Sequence, residues 1–472
     1  MGFLSKIVRR FKTMFRGFQS AEEVFGVKLI ASAEMDNALK LWDQVSRGRP
    51  PWTQTADGIK TINMADFVSC TRAKLTTLDI GIAISGPRAD FLQSVVDDLL
   101  KRLPDKLCDA DRLGGMLFKW NGTSWDFVRP DCFGITEKDE NGNITGAIFS
   151  IQSDQQDGSY TRLEWHRFEH GGSDAEGKVY VVTNKAFKNR TSGQNVTLGD
   201  PVPLNQVNEW KGMADEVRIV NLKAPLFGYY RVPGSNIIDA SSPLGMSVFG
   251  RAMEELKAID IAISRKNDEV EDSKHITFVG QSCIQYATQN GIKLPRFVQG
   301  LGVGVDNKDV SAIKEHTPTM LTDARIKDIN FDLSLLGVKC GFSEGVFVLD
   351  GQTGMITATQ VEADDRDTIQ TIKNDRDALQ SAIEQAIMGA DAMATLMGLA
   401  PLGEYEASFS FGDITYSYEE DKANWKSYAQ QGWIPKWLYL VKFEKMTEEE
   451  AKRLTQEAEQ ANQARTKGLF EE

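Results

Sequence analysis

The amino-acid sequence predicts an α+β fold that is mainly helical, and three observations support this class. Short apolar runs separated by glycine-rich turns fill positions 115 to 183, as expected for a largely antiparallel sheet. Asn121-Gly122 stands between two such runs and is a strong signal for a β-hairpin. Beyond Pro243, apolar residues recur at helical spacing over long stretches.

Length and composition bound the class of protein. At 472 residues the chain is long enough for about three domains. Its 41% hydrophobic and 26% charged residues are typical of a soluble globular protein. No run approaches the roughly 18 apolar residues of a membrane span, and the basic N-terminus lacks the apolar stretch of a secretory signal.

Charge and cysteine usage exclude further classes. A net charge of −13 argues against a broad basic face that grips nucleic acid, although an acidic wall would let DNA slide past. The cysteine number is odd, and no CxxC pair suggests zinc. The pattern indicates a reducing compartment with buried or idle thiols. The five are Cys70, Cys108, Cys132, Cys283 and Cys340.

The N-terminal segment is predicted to be helical. Leu4 to Phe18 alternates apolar and basic residues at helical spacing. Such a helix could lie on a membrane surface, but we favour a terminal helix docked on its own protein or a neighbour. A second helix is predicted over Ala33 to Val45, before Pro50-Pro51 breaks the chain.

The central part predicts a helix over Asp90 to Leu103 and then the strand meander. After the hairpin, the predicted strands are Ile144 to Gln152, Tyr160 to Phe168 and Val179 to Thr183. An apolar face beginning at Val248 predicts the next helix, and His275 to Val279 has the pattern of a strand.

The clearest element is a helix over Thr357 to Gly398. Thr357 and Gln360 form a capping box at its start. One apolar stripe continues for about forty residues, far beyond the average helix of roughly 11–12. We therefore expect neighbouring subunits to cover it.

The tail predicts a strand over Ala407 to Tyr418 and a helix over Glu419 to Gln431. The chain turns at Gly432-Trp-Ile-Pro435. A second capping box, Thr447 with Glu450, opens a polar helix that ends near Arg465.

Four groups of segments, in this order, carry a resemblance to a known family. They are Ser242-Pro-Leu-Gly-Met-Ser-Val-Phe-Gly-Arg-Ala-Met-Glu-Glu-Leu-Lys-Ala-Ile-Asp260; Gly341-Phe-Ser-Glu-Gly-Val-Phe347; Thr357-Ala-Thr-Gln-Val361; and Phe411-Gly-Asp-Ile-Thr415 with Gln431-Gly-Trp-Ile-Pro-Lys-Trp437 and Met446-Thr-Glu-Glu-Glu-Ala451. From about Pro225 onward the chain resembles the portal proteins (head-tail connectors) of tailed bacteriophages, of the type found in siphophages of Gram-positive bacteria. Gln360 departs from the glutamate expected in that family.

The resemblance implies a portal fold with named parts. In order they are an N-terminal helical segment 1–48, an α/β wing 49–243, a first stem helix 244–272, a clip 273–321, a second stem helix 322–341, a tunnel loop 342–356, a long wing helix 357–398 and a helical C-terminal crown 399–472.

The same resemblance implies a structural role. The chain would form a dodecameric ring at the capsid vertex, through which double-stranded DNA is packaged and ejected. Its other partners would be the terminase large subunit, the major capsid protein, the scaffold and a head-tail adaptor. We expect no catalytic residue, cofactor, metal or membrane, and a location in the virion and, during assembly, the host cytoplasm.

The tunnel loop holds the candidate site residues. Asp350, Gln352 and Thr353 offer short polar groups suited to brief contacts with DNA phosphates. Glycines at 345, 351 and 354 give the segment backbone freedom. The alternative is an ordinary surface hairpin, since Asp350-Gly351 is a common turn pair.

Three other patterns favour ordinary structural roles. Glu164, His166 and His170 share one face of a predicted strand, which we interpret as a solvated face rather than a metal site. Gly300-Leu-Gly-Val-Gly304 lacks the Lys-Ser/Thr ending of a phosphate-binding loop and predicts a turn. Glu362 to Asp367 complements a helix dipole more simply than it binds a divalent ion.

Two alternative functions stay open. One is a nuclease or hydrolase built on the α+β region, which the lack of a convergent acid, base and nucleophile set disfavours. The other is a membrane-peripheral scaffold, which is disfavoured because no basic amphipathic pattern recurs beyond position 18.

Overall fold

A computed structural model describes most of the chain. The described residues are 10–11, 18–30, 32–54, 58–170, 178–192, 195–272, 276–292, 298–301, 313–316, 322–348, 366–412, 418–431, 434–444 and 446–468. They fall into two compact units, Met1–Ser410 and Phe411–Glu472. Helices and strands are both abundant, which confirms the predicted α+β class.

Within the described residues of the larger unit, the helices are α1 (Phe18–Phe25), α2 (Ala33–Ser46), α3 (Met64–Thr76), α4 (Ala89–Leu113), α5 (Met253–Asp272), α6 (Gln281–Gln289), α7 (Thr322–Lys339) and α8 (Arg366–Met397). Its strands are β1 (Arg10–Phe11), β2 (Gly81–Ser85), β3 (Gly115–Trp120), β4 (Trp125–Val128), β5 (Phe133–Lys138), β6 (Ile144–Gln155), β7 (Gly158–His170), β8 (Lys178–Ser192), β9 (Asn195–Val202), β10 (Glu216–Val220), β11 (Gly228–Arg231), β12 (Ile276–Gly280), β13 (Val298–Leu301), β14 (Ile313–His316) and β15 (Glu406–Ser410). The smaller unit has α9 (Tyr418–Gln431), α10 (Lys436–Glu444) and α11 (Glu448–Gly468).

The predicted strand meander is confirmed as an antiparallel sheet of seven strands. Its order is β1-β6-β7-β8-β10, with β5 also paired to β6 and β9 to β8. β6, β7 and β8 each extend beyond the predicted bounds. The predicted hairpin joins β3 to β4 through four residues, where the Asn121 side-chain carbonyl accepts from the Thr123 and Ser124 amides. β11 completes a second antiparallel sheet, in the order β11-β3-β4.

The N-terminus departs from its prediction. A continuous helix over Leu4 to Phe18 is wrong at Arg10–Phe11, which pairs with Gln152 and Ile151 of β6. Pairing with β6 gives the main-chain groups of these two residues hydrogen-bond partners outside a helix. This tertiary contact overrides the helical periodicity of the local sequence. The second predicted helix is confirmed as α2, whose Ser32 cap accepts from the Met35 amide.

α4 is longer than predicted, running on from Leu103 to Leu113 with Pro104 inside it. The apolar stripe predicted this helix only in part, because a proline usually ends one. Leu92, Val96, Leu99 and Leu107 are fully buried and place α4 in the main core.

The long predicted helix is confirmed over Arg366–Met397, while 357–365, with the Thr357/Gln360 capping box, lie outside the described residues. Its stripe is covered by β3, β11, α3 and α4 of the same chain. A Cβ on Gly228 would lie 1.9 Å from the Ala382 carbonyl oxygen, so only glycine lets β11 lie this close to the helix. The expectation that neighbouring subunits must cover this stripe is therefore wrong.

α5 and α7 form an antiparallel helix pair. Glu255 binds Lys339 at one end, and Glu269 binds Arg325 at the other. The predicted helix over 244–272 begins only at Met253, because 244–252 forms turns that bury Val248 and Phe249. The predicted partner helix over 322–341 is confirmed as Thr322–Lys339.

A small mixed sheet lies in sequence between α5 and α7. β12 pairs parallel with β13 and antiparallel with β14, and the unpredicted α6 follows β12 directly. The predicted strand near 275–279 is confirmed from Ile276 onward. The turn predicted at Gly300 is wrong at that residue, which pairs with Val279 inside β13; positions 302–304 lie outside the described residues.

The smaller unit confirms the second capping box. The Thr447 hydroxyl lies 2.9 Å from Glu450 Oε2 and accepts from the Glu450 amide at the start of α11. The sequence analysis missed α10, whose Phe443 ring contacts Trp425 of α9 at 6.0 Å between centroids. The strand predicted over Ala407 to Tyr418 is shorter, since β15 ends at Ser410 and α9 starts at Tyr418. In the described part of the chain, no helix has the length and apolarity to cross a membrane.

Candidate functional site at the base of the loop between α7 and α8

The three candidate site residues, Asp350, Gln352 and Thr353, lie outside the described residues. The structure does describe the base of their loop on both sides. Residues 340–348 leave the end of α7, and α8 begins at Arg366. The geometry of this base therefore defines where the loop starts and ends.

A buried serine–threonine clasp joins the two sides of the loop base. The Ser343 amide donates to Thr368 Oγ1 at 2.8 Å, and the Thr368 amide faces Ser343 Oγ at 3.3 Å. The two hydroxyl oxygens lie 3.1 Å apart, and both side chains are buried. Ser343 and Thr368, which are 25 positions apart in sequence, therefore lie side by side.

Aromatic packing holds the first side of the base. The Phe347 ring lies 4.9 Å from the Phe342 ring and 5.8 Å from that of Phe67 on α3, both edge-to-face. Gly341 has φ +82°, the left-handed conformation with which many helices end. The segment leaves α7 by a fixed turn and folds back onto α3.

A buried ion pair lies beneath the clasp. Arg72 of α3 binds Asp375 of α8 through two parallel contacts, Nε–Oδ2 at 2.6 Å and Nη2–Oδ1 at 2.7 Å. The remaining guanidinium nitrogen donates to the Cys340 carbonyl oxygen at 3.0 Å. Burial acts to lower the pKa of Arg72, but Asp375 outweighs it and raises this pKa overall. This side chain links α3, α8 and the end of α7.

A second carboxyl group lies beside this pair. Asp111 of α4 is fully buried, and the Tyr230 hydroxyl lies 3.4 Å from its Oδ1. Burial, and then the nearby Asp375 carboxylate, raise the pKa of Asp111 well above its usual range. Because the bidentate contact with Arg72 stabilises the negative charge on Asp375, we expect Asp111 to hold the proton. The cluster is then neutral.

Sequence analysis missed this cluster, although one signal was present. Asp375 falls within the apolar stripe of α8, between Ile372 and Leu379 at helical spacing. A charged residue inside a buried stripe requires a partner. The sequence does not identify Arg72 as that partner, because Arg72 lies 303 positions from Asp375.

The interpretation of Glu164 and His166 as a solvated strand face is wrong, since both are buried. Glu164 accepts from Lys119, from Arg162 and from His166 Nε2, while the Tyr180 hydroxyl lies 2.9 Å from His166 Nδ1. Burial, with Lys119 and Arg162 nearby, lowers the pKa of His166 well below its usual value. Both ring nitrogens and both carboxylate oxygens have partners, and the cluster links β3 to β7 and β8. The His170 side chain lies outside the described residues.

The expectation of idle thiols is wrong for two cysteines. Cys70 of α3 and Cys108 of α4 form a disulfide, while Cys132 and Cys340 are free and buried. Neighbouring helices bring together cysteines that lie 38 positions apart in sequence. Asp66 joins them in the one potential metal-binding group among the described residues. Both sulfurs are in the disulfide and Asp66 binds Arg112, so this arrangement does not fit a metal ion.

Of the acidic run 362–367, the structure describes only the end. Asp367 lies in the first described turn of α8, where a carboxylate suits the helix dipole. Residues 362–365 lie outside the described residues.

No family model matches the chain, and no curated protein does. Among solved structures, a chain from the virion of a native gene transfer agent particle has a TM-score of 0.41 at 8% identity, covering 88% of this chain and 94% of its own. A chain from the neck of a native gene transfer agent particle, computed with C12 symmetry, has a TM-score of 0.37 at 9% identity, covering 90% and 97%. Likenesses at this level do not establish a shared fold or function.

Proposed function

We propose that this protein is a portal subunit of a tailed bacteriophage. Twelve copies form a ring at the capsid vertex, and double-stranded DNA passes through it during packaging and ejection. The ring binds the terminase large subunit, the major capsid protein, the scaffold and a head-tail adaptor. It acts without catalysis or a cofactor, in the virion and, during assembly, in the host cytoplasm.

The arrangement around α5 and α7 supports the proposal best. The antiparallel pair matches a two-helix stem, and the small sheet of β12, β13 and β14, between them in sequence, matches a clip. The predicted tunnel loop, 342–356, follows the second stem helix directly in sequence, and the Ser343–Thr368 contact fixes where it leaves that helix. The β-rich region to 243 then corresponds to the wing, α8 to the long wing helix, and the C-terminal helices to the crown.

An exposed apolar face on α7 supports assembly into a ring. Phe331 is 67% exposed and Val338 47% exposed. They are seven positions apart in sequence, so they lie two turns apart on one face of the helix. A monomer in water gains nothing from such a face, whereas a neighbouring stem would bury it.

Purified protein is therefore expected to form closed rings. Twelve chains of 52.5 kDa make a particle of about 630 kDa, which mass photometry measures and negative-stain imaging shows as a ring with a central hole. Phe331→Glu is expected to release monomers, because a buried charge without a partner costs several kcal/mol, whereas Phe331→Leu keeps the apolar surface and the ring. Monomers of the unaltered protein at micromolar concentration would contradict the proposal.

The tunnel loop gives a second prediction. In a ring, the loops that carry Asp350, Gln352 and Thr353 converge on the channel and contact DNA. Gln352→Cys is therefore expected to cross-link neighbouring subunits under oxidising conditions and to stop DNA packaging into empty capsids. Asn141→Cys, in the exposed turn between β5 and β6, serves as the control and should leave packaging intact. Efficient cross-linking at position 352 with normal packaging would refute the loop's role.

A further inference from the structure

A cavity of about 240 Å³ lies beside the loop base, where α7, α8 and the chain after β11 meet. Among the described residues that line it, Arg72, Arg251 and Lys339 are basic and none is acidic. The chain as a whole is acidic, with a net charge of −13, whereas this lining is basic. It favours an anionic ligand.

The three cations differ in how they are balanced. Arg72 is paired with Asp375, and Lys339 with Glu255. Arg251 donates to the carbonyl and hydroxyl oxygens of Ser235, at 2.7 and 2.9 Å, and both acceptors are neutral. Arg251 is therefore the cation of the three whose hydrogen-bond acceptors, among the described residues, carry no charge.

Neutral donors complete the lining. Ser247 is 3% exposed, and its hydroxyl has no hydrogen-bond partner among the described residues. A buried hydroxyl without a partner is costly, and its staggered rotamers allow it to turn toward a ligand. The Asn374 side-chain carbonyl accepts from Gln370 at 3.0 Å, which leaves the Asn374 amide nitrogen as a donor at the cavity.

We propose that this cavity binds a phosphate group. Guanidinium, ammonium, hydroxyl and amide donors together suit the several acceptor oxygens of a tetrahedral oxyanion. The described part of the lining offers no carboxylate, the ligand that a hard metal cation would require. The phosphate is either free inorganic phosphate or a phosphodiester of DNA. The inference does not rest on the portal function, since one chain supplies every donor.

The full-length protein tests this directly. Inorganic phosphate replaces chloride at constant ionic strength, and isothermal titration calorimetry measures binding while differential scanning fluorimetry follows the melting temperature. Saturable heat and a melting temperature that rises with phosphate are expected. Neither effect at phosphate concentrations in the millimolar range would overturn the proposal.

Two variants locate the binding. Arg251→Gln and Ser247→Ala are each expected to weaken phosphate binding by about tenfold. Ser247→Ala also removes the unpartnered hydroxyl, so in phosphate-free buffer its melting temperature should be unchanged or higher. Arg265→Gln, an exposed arginine of α5 outside the lining, is the matched control and should bind phosphate normally.

The use of two variants keeps the proposal testable if one of them does not fold. If Arg251→Gln does not fold, Ser247→Ala alone gives the answer. Unchanged affinity in the folded variants would place any phosphate elsewhere and overturn the proposal. A short DNA duplex that competes with inorganic phosphate identifies the source as a phosphodiester, and a duplex that does not compete identifies free phosphate; both results support the site.

Discussion

Replacing Arg72 with methionine is expected to lower the free energy of unfolding of the larger unit by about 3–5 kcal/mol, the usual cost of breaking a buried ion pair. Methionine keeps the apolar stem but leaves the Asp375 carboxylate buried without its cation and close to Asp111. The Cys340 carbonyl oxygen at the end of α7 loses a donor as well. Urea denaturation followed by tryptophan fluorescence, at one protein concentration, measures the change.

An exposed pair provides the control for this experiment. Arg190 and Asp200 join β8 to β9, with side chains 70% and 78% exposed. Arg190→Met should cost at most about 1 kcal/mol, because water already screens this pair. A loss for Arg72→Met no greater than that of Arg190→Met would show that the buried pair does not hold α3, α8 and the loop base together.

Apolar periodicity in the sequence predicted part of the fold and failed in two places. Apolar periodicity predicted α2 and most of α8 well, because each buries one continuous stripe in the core. It failed at Arg10–Phe11, where pairing with a distant strand decides the structure. It also failed at the start of α5, since Val248 and Phe249 are buried by turns rather than by a helix.

The buried polar clusters could not be predicted from the sequence, for a different reason. Glu164 and His166 occupy alternate positions of a strand, and alternation alone does not say which face meets the core. Their cation Lys119 comes from another sheet, 45 positions from Glu164. Charged side chains were assigned to solvent by default, and only the tertiary contacts reverse that assignment.

The second large effect concerns Asp111 and pH. Since burial raises the pKa of Asp111, we expect the folded protein to hold a proton there that the unfolded chain releases near pH 4. The stabilisation from this group is therefore complete below about pH 4 and is lost as pH rises toward the raised pKa of the folded state. Asp111→Asn cannot ionise, and its carbonyl can still accept from Tyr230. The variant should gain stability relative to the unaltered protein as pH rises.

Unfolding free energies at about pH 5, 6 and 7 give the measurement. Between the pKa of Asp111 in the unfolded chain and its raised pKa in the fold, the stability of Asp111→Asn relative to the unaltered protein should grow with pH. The increase is at most about 1.4 kcal/mol per pH unit, the limit for one proton. The charged and titratable groups around Asp111 are Arg72, Asp375 and Tyr230, and all three remain in the variant. Asp200→Asn, at an exposed site, gives the comparison for a carboxylate outside the cluster. Parallel pH profiles for Asp111→Asn and the unaltered protein would mean that Asp111 ionises in the fold, and that Arg72 then faces two carboxylates instead of one.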